Sequence, residues 1–207
     1  CRIFRKLKYD NNVLMASSLS LRGNCLHYLK RNREAESATL EALQILRGRN
    51  ANLKKILTVK NNLACIYSKT GRKKLGESVL KSCISRAEFS ATTDPLILAS
   101  SLNNLATIYE DQGELQKAQS FYRQSLQIRA QKYGANHPRT AVTLVNLAHL
   151  NYAMDDFKES EKLYKKSLAI FRKNFGAHHP HIKIVLNSLA YVYDAQGRSL
   201  EAERVAK

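Results

Sequence analysis

The chain repeats itself every 42 residues, and no other property narrows its fold so far. Asn104-Leu105-Ala106 recurs as Asn146-Leu147-Ala148, as Asn62-Leu63-Ala64 and, one step further on, as Ser188-Leu189-Ala190. The register holds along each unit. Gly71, Gly113 and Gly197 align, with Asp155 in the fourth place; Tyr122 aligns with Tyr164, Leu126 with Leu168, Ile128 with Ile170 and Gly134 with Gly176. His137-Pro138 matches His179-Pro180, and residues 97–138 share 13 of 42 positions with residues 139–180. Self-similarity at such a period marks stacked repeats, each unable to bury its apolar face alone.

Each unit reads as two antiparallel helices. In residues 97–112 the apolar positions Ile97, Leu98, Leu102, Leu105, Ala106, Ile108 and Tyr109 recur at helical spacing. Gly113 then ends the first helix in the left-handed cap role. A second helix is expected from about Glu114 to Tyr133, with Leu115, Ala118, Phe121, Tyr122, Leu126 and Ile128 as its stripe. Gly134 closes it, and Pro138 suits the first turn of the next helix, where its missing N–H costs nothing.

The expected organisation is therefore a tail of a preceding repeat helix over 1–12, a diverged repeat over 13–54, full repeats over 55–96, 97–138 and 139–180, and a partial one over 181–207. In the diverged unit, Ala35-Glu36 and Ala42-Leu43 take second-helix places offset by 83 rather than 84, and Gly23 takes the small-residue place of Ala106. Ile3-Phe4-Arg5-Lys6 copies Ile170-Phe171-Arg172-Lys173, so the chain reads as a piece of a longer array.

The pattern Leu-Ala-x-x-Tyr-x-x-x-Gly at Leu105–Gly113, followed by Ala118, Tyr122 and Leu126, resembles the tetratricopeptide repeat. The 42-residue period, the Asn-Asn-Leu-Ala openings at 61–64 and 103–106 and the Gly-Ala-x-His-Pro links at 134–138 and 176–180 are similar to the kinesin-light-chain type. Asn151 in the place of Tyr109 and Tyr193, and Asp155 in the place of the turn glycine, depart from it. The resemblance implies an all-α, right-handed superhelical solenoid whose first helices line a concave groove that binds peptides or proteins. It also implies work as a cargo or complex adaptor.

Counting helical faces on that template puts Asn61, Asn62 and Lys69 on the groove in the second repeat, with Cys65 and Ser68 beside them. Asn103, Asn104, Thr107 and Glu110 follow in the third, Asn146, His149 and Tyr152 in the fourth, and Asn187 and Tyr191 in the fifth. The ladder Asn62, Asn104, Asn146 is the sharpest feature. A carboxamide offers a donor and an acceptor together, so a row of them clamps an extended peptide backbone whatever its sequence. The competing structural reading has these amides bonding the neighbouring repeat.

Charge is the compositional outlier: 34 Lys+Arg against 17 Asp+Glu give a net +17. Residues 1–96 hold 19 basic and 7 acidic side chains, so the excess sits mostly there, on turns and second helices. Arg72, Lys73 and Lys74 form its densest run and support the alternative function, an RNA-, ribosome- or large-assembly-associated subunit docking through a basic outer surface. Nucleotide loops, nucleophile elbows and His-Glu-x-x-His are missing from the sequence. His178, His179 and His181 surround a proline in a repeat link, where they cannot readily converge on one ion. Glu110 and Asp111 are expected to be solvated helix ends. Tyr122, Tyr164, Phe121, Phe171 and Phe175 keep the repeat phase and are expected in the core. The four cysteines, Cys1, Cys25, Cys65 and Cys83, lack metal spacing and read as free thiols in a reducing, cytoplasmic setting. No enzyme activity, cofactor, metal or membrane insertion is expected.

Overall fold

Apolar residues at every third or fourth position, broken by a glycine or a proline, leave the chain one economical choice, and it takes it. The computed structural model describes residues 2–47, 53–90 and 93–206, with side chains from residue 12 onward. Ten α-helices and no strand occupy the described residues. They are α1 Arg2–Tyr28, α2 Asn32–Ile45, α3 Leu53–Lys69, α4 Lys73–Glu88, α5 Pro95–Glu110, α6 Leu115–Tyr133, α7 Pro138–Ala153, α8 Phe157–Phe175, α9 Pro180–Ala195 and α10 Ser199–Ala206. From α3 on, each odd-numbered helix begins one or two residues ahead of the 42-residue boundaries. Helix α1 runs unbroken across residue 12, since no Gly or Pro between Asp10 and Ala16 interrupts its hydrogen bonding. Cys1 lies outside the described residues.

The chain divides into two compact units, Cys1–Ile108 and Tyr109–Lys207. In the first, α1 packs on α2, α3 on α4, and α3 also on α1 and α2. Ala16, Ala42, Leu46 and Val59 form one shared cluster, and Leu57, Cys83, Ala87 and Ile97 another. In the second, α7 packs on α8, α9 on α10, and α6 and α9 flank the α7–α8 pair. Its core is built on Tyr122, Tyr164, Phe171, Leu144, Leu150 and Leu189, all buried. Burying a leucine of this kind stabilises by about 2 kcal/mol. Phe175 departs from expectation: it is 45% exposed, because it stacks on His179 at the link, 4.2 Å between rings, instead of turning inward.

One turn joins each helix pair, and it is the same turn five times. The amide of Gly113 donates to the Glu110 carbonyl (3.0 Å) and that of Glu114 to the Tyr109 carbonyl (2.9 Å). Two such bonds around one left-handed residue are the Schellman arrangement, which satisfies carbonyls that a helix end leaves bare. Gly71, Asp155 and Gly197 repeat it at φ of 81°, 59° and 73°. So does Lys30, at φ 60°, with Lys30 and Arg31 donating to His27 and Leu26. From Lys30 to Gly113 is 83 residues, the offset the sequence shows for the second helix of the diverged unit.

Small residues let the paired helices touch where they cross. A Cβ on Gly23 would lie 2.5 Å from Thr39 Oγ1, and one on Gly76 2.8 Å from the Ala64 carbonyl oxygen. In the fourth pair the same crossing carries a serine, and Ser160 Oγ donates to the Ala148 carbonyl at 2.8 Å.

Candidate functional site

In the first unit the two asparagines of each Asn-Asn pair part company. Successive helical residues are ~100° apart, so both cannot face one way. Asn61 is buried between α3 and α5, where its Nδ2 donates to the Leu57 carbonyl (2.9 Å) and to Ser101 Oγ (3.0 Å). Asn103 is buried as well. Both therefore serve the helix stack. Asn62 and Asn104 are half-exposed. Asn62 Nδ2 donates to Ser20 Oγ on α1 at 3.2 Å, whereas the Asn104 amide has no intramolecular partner among the described residues. Lys69 is exposed at the end of α3.

Next to Asn104 lies a pocket of about 60 Å³, lined by Cys65, Ser68, Lys69, Leu80, Asn104, Thr107 and Ile108. Ser68 Oγ is buried there and bonds to nothing in the structure. Burial pushes the Cys65 thiol up to about 11, so it stays protonated at neutral pH. The Cys83 thiol, in the core, is likewise pushed up to about 11.

The second unit presents a different chemistry. Glu110, expected to be solvated, is mostly covered: Oε2 accepts from Tyr122 Oη (2.8 Å) and Oε1 pairs with His149 Nδ1 (2.7 Å). That hydrogen bond raises the His149 pKa, with a smaller push from the carboxylate's charge, against partial burial. Position counting placed His149 and Glu110 on the face but gave no sign that they bond across 39 residues. Asn146 is half-buried, Tyr152 half-buried against Phe157, and Asn187 and Tyr191 exposed, Tyr191 by 67%. Asn151, in the tyrosine's place, donates to the Leu147 carbonyl (2.7 Å) and accepts from Gln119 Nε2 (3.3 Å).

The basic run is only partly available. Arg72 makes a two-pronged ion pair with Glu36 of α2 (2.8 and 2.6 Å) and lies over the Tyr67 ring, 4.5 Å to its centroid. Its guanidinium holds the Glu36 carboxyl below the usual range. Lys73 is also engaged, while Lys74 is exposed with no partner among the described residues. The histidines act locally: His179 Nδ1 accepts from the His181 amide (3.3 Å), and the two rings stack on Phe175 and Phe171. Among the described residues no three His, Cys, Asp or Glu side chains converge on a metal position. No helix among them is long and apolar enough to cross a membrane.

Left-handed turns at the repeat period and small residues at every crossing are what tetratricopeptide arrays require. The family model for that repeat matches residues 97–173 and again 139–207, and a second model of the same repeat matches 57–89. The chain belongs to the tetratricopeptide repeat family. Among solved structures, this tetratricopeptide chain is similar to BtubC (BKLC) from P. vanneervenii, with 22% identity and a TM-score of 0.81 over 97% of this chain and 82% of that one. It is also similar to a kinesin-light-chain-like protein of nearly identical TPR-like repeats from Podospora anserina, at 21% identity and TM-score 0.71, over 94% of this chain and 92% of that one. A substituted form of that Podospora protein compares at 20% and 0.72 over the same shares. These likenesses establish the fold, the all-α helix-pair array of tetratricopeptide proteins. No curated protein matches the chain.

Proposed function

We propose that this tetratricopeptide array is a protein interaction scaffold that grips an extended peptide segment along the exposed faces of its first helices, as a cytoplasmic adaptor of the kinesin-light-chain kind. One observation carries the reading. Asn104 holds a half-exposed carboxamide with no internal partner among the described residues, in register with Asn62 and Asn146 at steps of 42 residues. A carboxamide so placed can donate to a peptide carbonyl and accept from the next peptide amide. His149, Tyr152, Asn187 and Tyr191 are the corresponding polar and aromatic candidates within the second unit. Family membership supports a protein partner and a non-enzymatic role. The alternative, docking of RNA or a large assembly on the basic outer surface, has less support, because Glu36 already holds Arg72.

The test is binding of a peptide selected from a displayed library on the intact chain. Replacing Asn104→Ala together with Asn146→Ala should weaken capture about tenfold, the worth of one to two hydrogen bonds, with helical content unchanged. Unaltered affinity would remove the clamp. Steeply salt-dependent RNA binding, lost on neutralising Lys73 and Lys74, would favour the outer surface instead.

A further inference from the structure

We infer that the pocket between α3 and α5 is the side-chain-selecting subsite of that peptide face, and that it takes a serine of the bound segment. The inference rests on the peptide-gripping reading above. Two turns of helix build the pocket in the same way: Cys65, Ser68 and Lys69 on α3, and Asn104, Thr107 and Ile108 on α5, each set spaced i, i+3, i+4 and so on one helix face. Its volume, about 60 Å³, leaves room for a small polar side chain such as a hydroxymethyl group.

One covered polar atom of the pocket is left unsatisfied. Ser68 Oγ is buried without a hydrogen bond, and the Asn104 amide beside it is unpartnered among the described residues. A buried polar group without a partner costs about 1–3 kcal/mol, and native structures rarely leave one without a reason. The Ser68 hydroxyl can donate or accept, and the Asn104 carboxamide offers both a donor and an acceptor. A ligand hydroxyl, itself at once donor and acceptor, answers both groups. An alkyl group of the same size would leave Ser68 unanswered.

The subsite also solves a problem that a uniform clamp creates. Amides repeating every 42 residues hold backbone without fixing which ligand residue lies where. In α7 the place of Cys65 and Thr107 is taken by His149, an imidazole tied to Glu110, so the residues that build the first unit's pocket do not recur there. One hydroxyl-selecting pocket fixes which ligand residue lies beside Asn104.

The experiment pans a random dodecapeptide display library on the full chain and then scans each position of the enriched peptides by substitution. Enriched peptides should share a serine at one fixed position. Ser→Ala there should cost about fivefold in affinity and Ser→Leu well over tenfold on the unmodified chain, which needs no protein variant. Ser68→Ala, checked for retained helicity, should bring the Ser→Ala penalty below twofold, and Cys65→Ala should admit valine or threonine. Enrichment without a fixed small residue, or a serine penalty indifferent to these variants, overturns the subsite alone. No enrichment at all overturns the peptide-face reading and the subsite with it.

Discussion

Gly76→Ala tests whether the helix crossings are as tight as they look. Gly76 lies inside α4, and on helix preference alone alanine should stabilise there by about 1 kcal/mol. The surroundings reverse the sign. The new Cβ would sit 2.8 Å from the Ala64 carbonyl oxygen, 3.2 Å from Ile108 Cδ1 and 3.5 Å from the Ser68 amide nitrogen. Ile108 is a side chain and can shift; the Ala64 oxygen is helix backbone and cannot turn aside. Restoring an ordinary contact means moving α3 and α4 apart by several tenths of an ångström, an overpacking strain of about 1–3 kcal/mol. The difference leaves the variant about 1 kcal/mol less stable. Urea denaturation followed by far-UV circular dichroism measures it. Adding Ile108→Val should recover nothing, because it leaves the backbone contact in place. A Gly76→Ala protein as stable as the parent would refute the close-approach reasoning, and recovery by Ile108→Val would move the blame to the side chain.

The turns should respond in graded fashion: Lys30→Gly relieves a left-handed lysine and should raise stability by about 1 kcal/mol, whereas Asp155→Gly should gain less, since aspartate tolerates that conformation. Thermal melts of the two variants rank them, and the opposite order would contradict the strain argument. Glu110→Gln should lower the His149 pKa toward its ordinary value of about 6.5, read by histidine NMR titration. A raised folded pKa means that the pair's stabilisation is complete below that ordinary value and fades as pH rises through the folded one. With the His149 side chain 67% exposed, the stability at stake is a few tenths of a kcal/mol, and a His149 pKa indifferent to the substitution would dissolve the pair. Arg72→Ala and Glu36→Ala should each lower the melting temperature while their double variant is no worse than either, and Lys74→Ala should do nothing. Strict additivity would deny the ion pair.

Much of the scaffold was legible in the sequence because its determinants are local and recur. A glycine that must adopt positive φ announces a turn, and a 3.6-residue stripe announces a helix. Lys30 escaped notice for the same reason: lysine has no preference for that conformation, and only the tertiary packing of α1 on α2 holds it there. The site was half legible. Counting positions picked out Asn62 and Asn104, which are half-exposed, yet it also admitted Asn61 and Asn103, whose side chains point ~100° away and serve the stack. Whether an asparagine faces a ligand or a neighbouring helix depends on what stands across from it, such as Ser101 opposite Asn61, and that pairing spans 40 residues. Glu110 was hidden in the same way, since its two partners lie on α6 and α7.

The five turns share a main-chain closure, amide to carbonyl around one left-handed residue. Peptide groups carry no proton that titrates between mild acid and mild alkali, and salt screens their bonds little. Those turn bonds are thereby indifferent to the protonation that the His149–Glu110 pair senses. A change in ligand capture between about pH 6 and 8, the range in which an imidazole titrates, is thus to be sought in side-chain chemistry and not in the turn bonds.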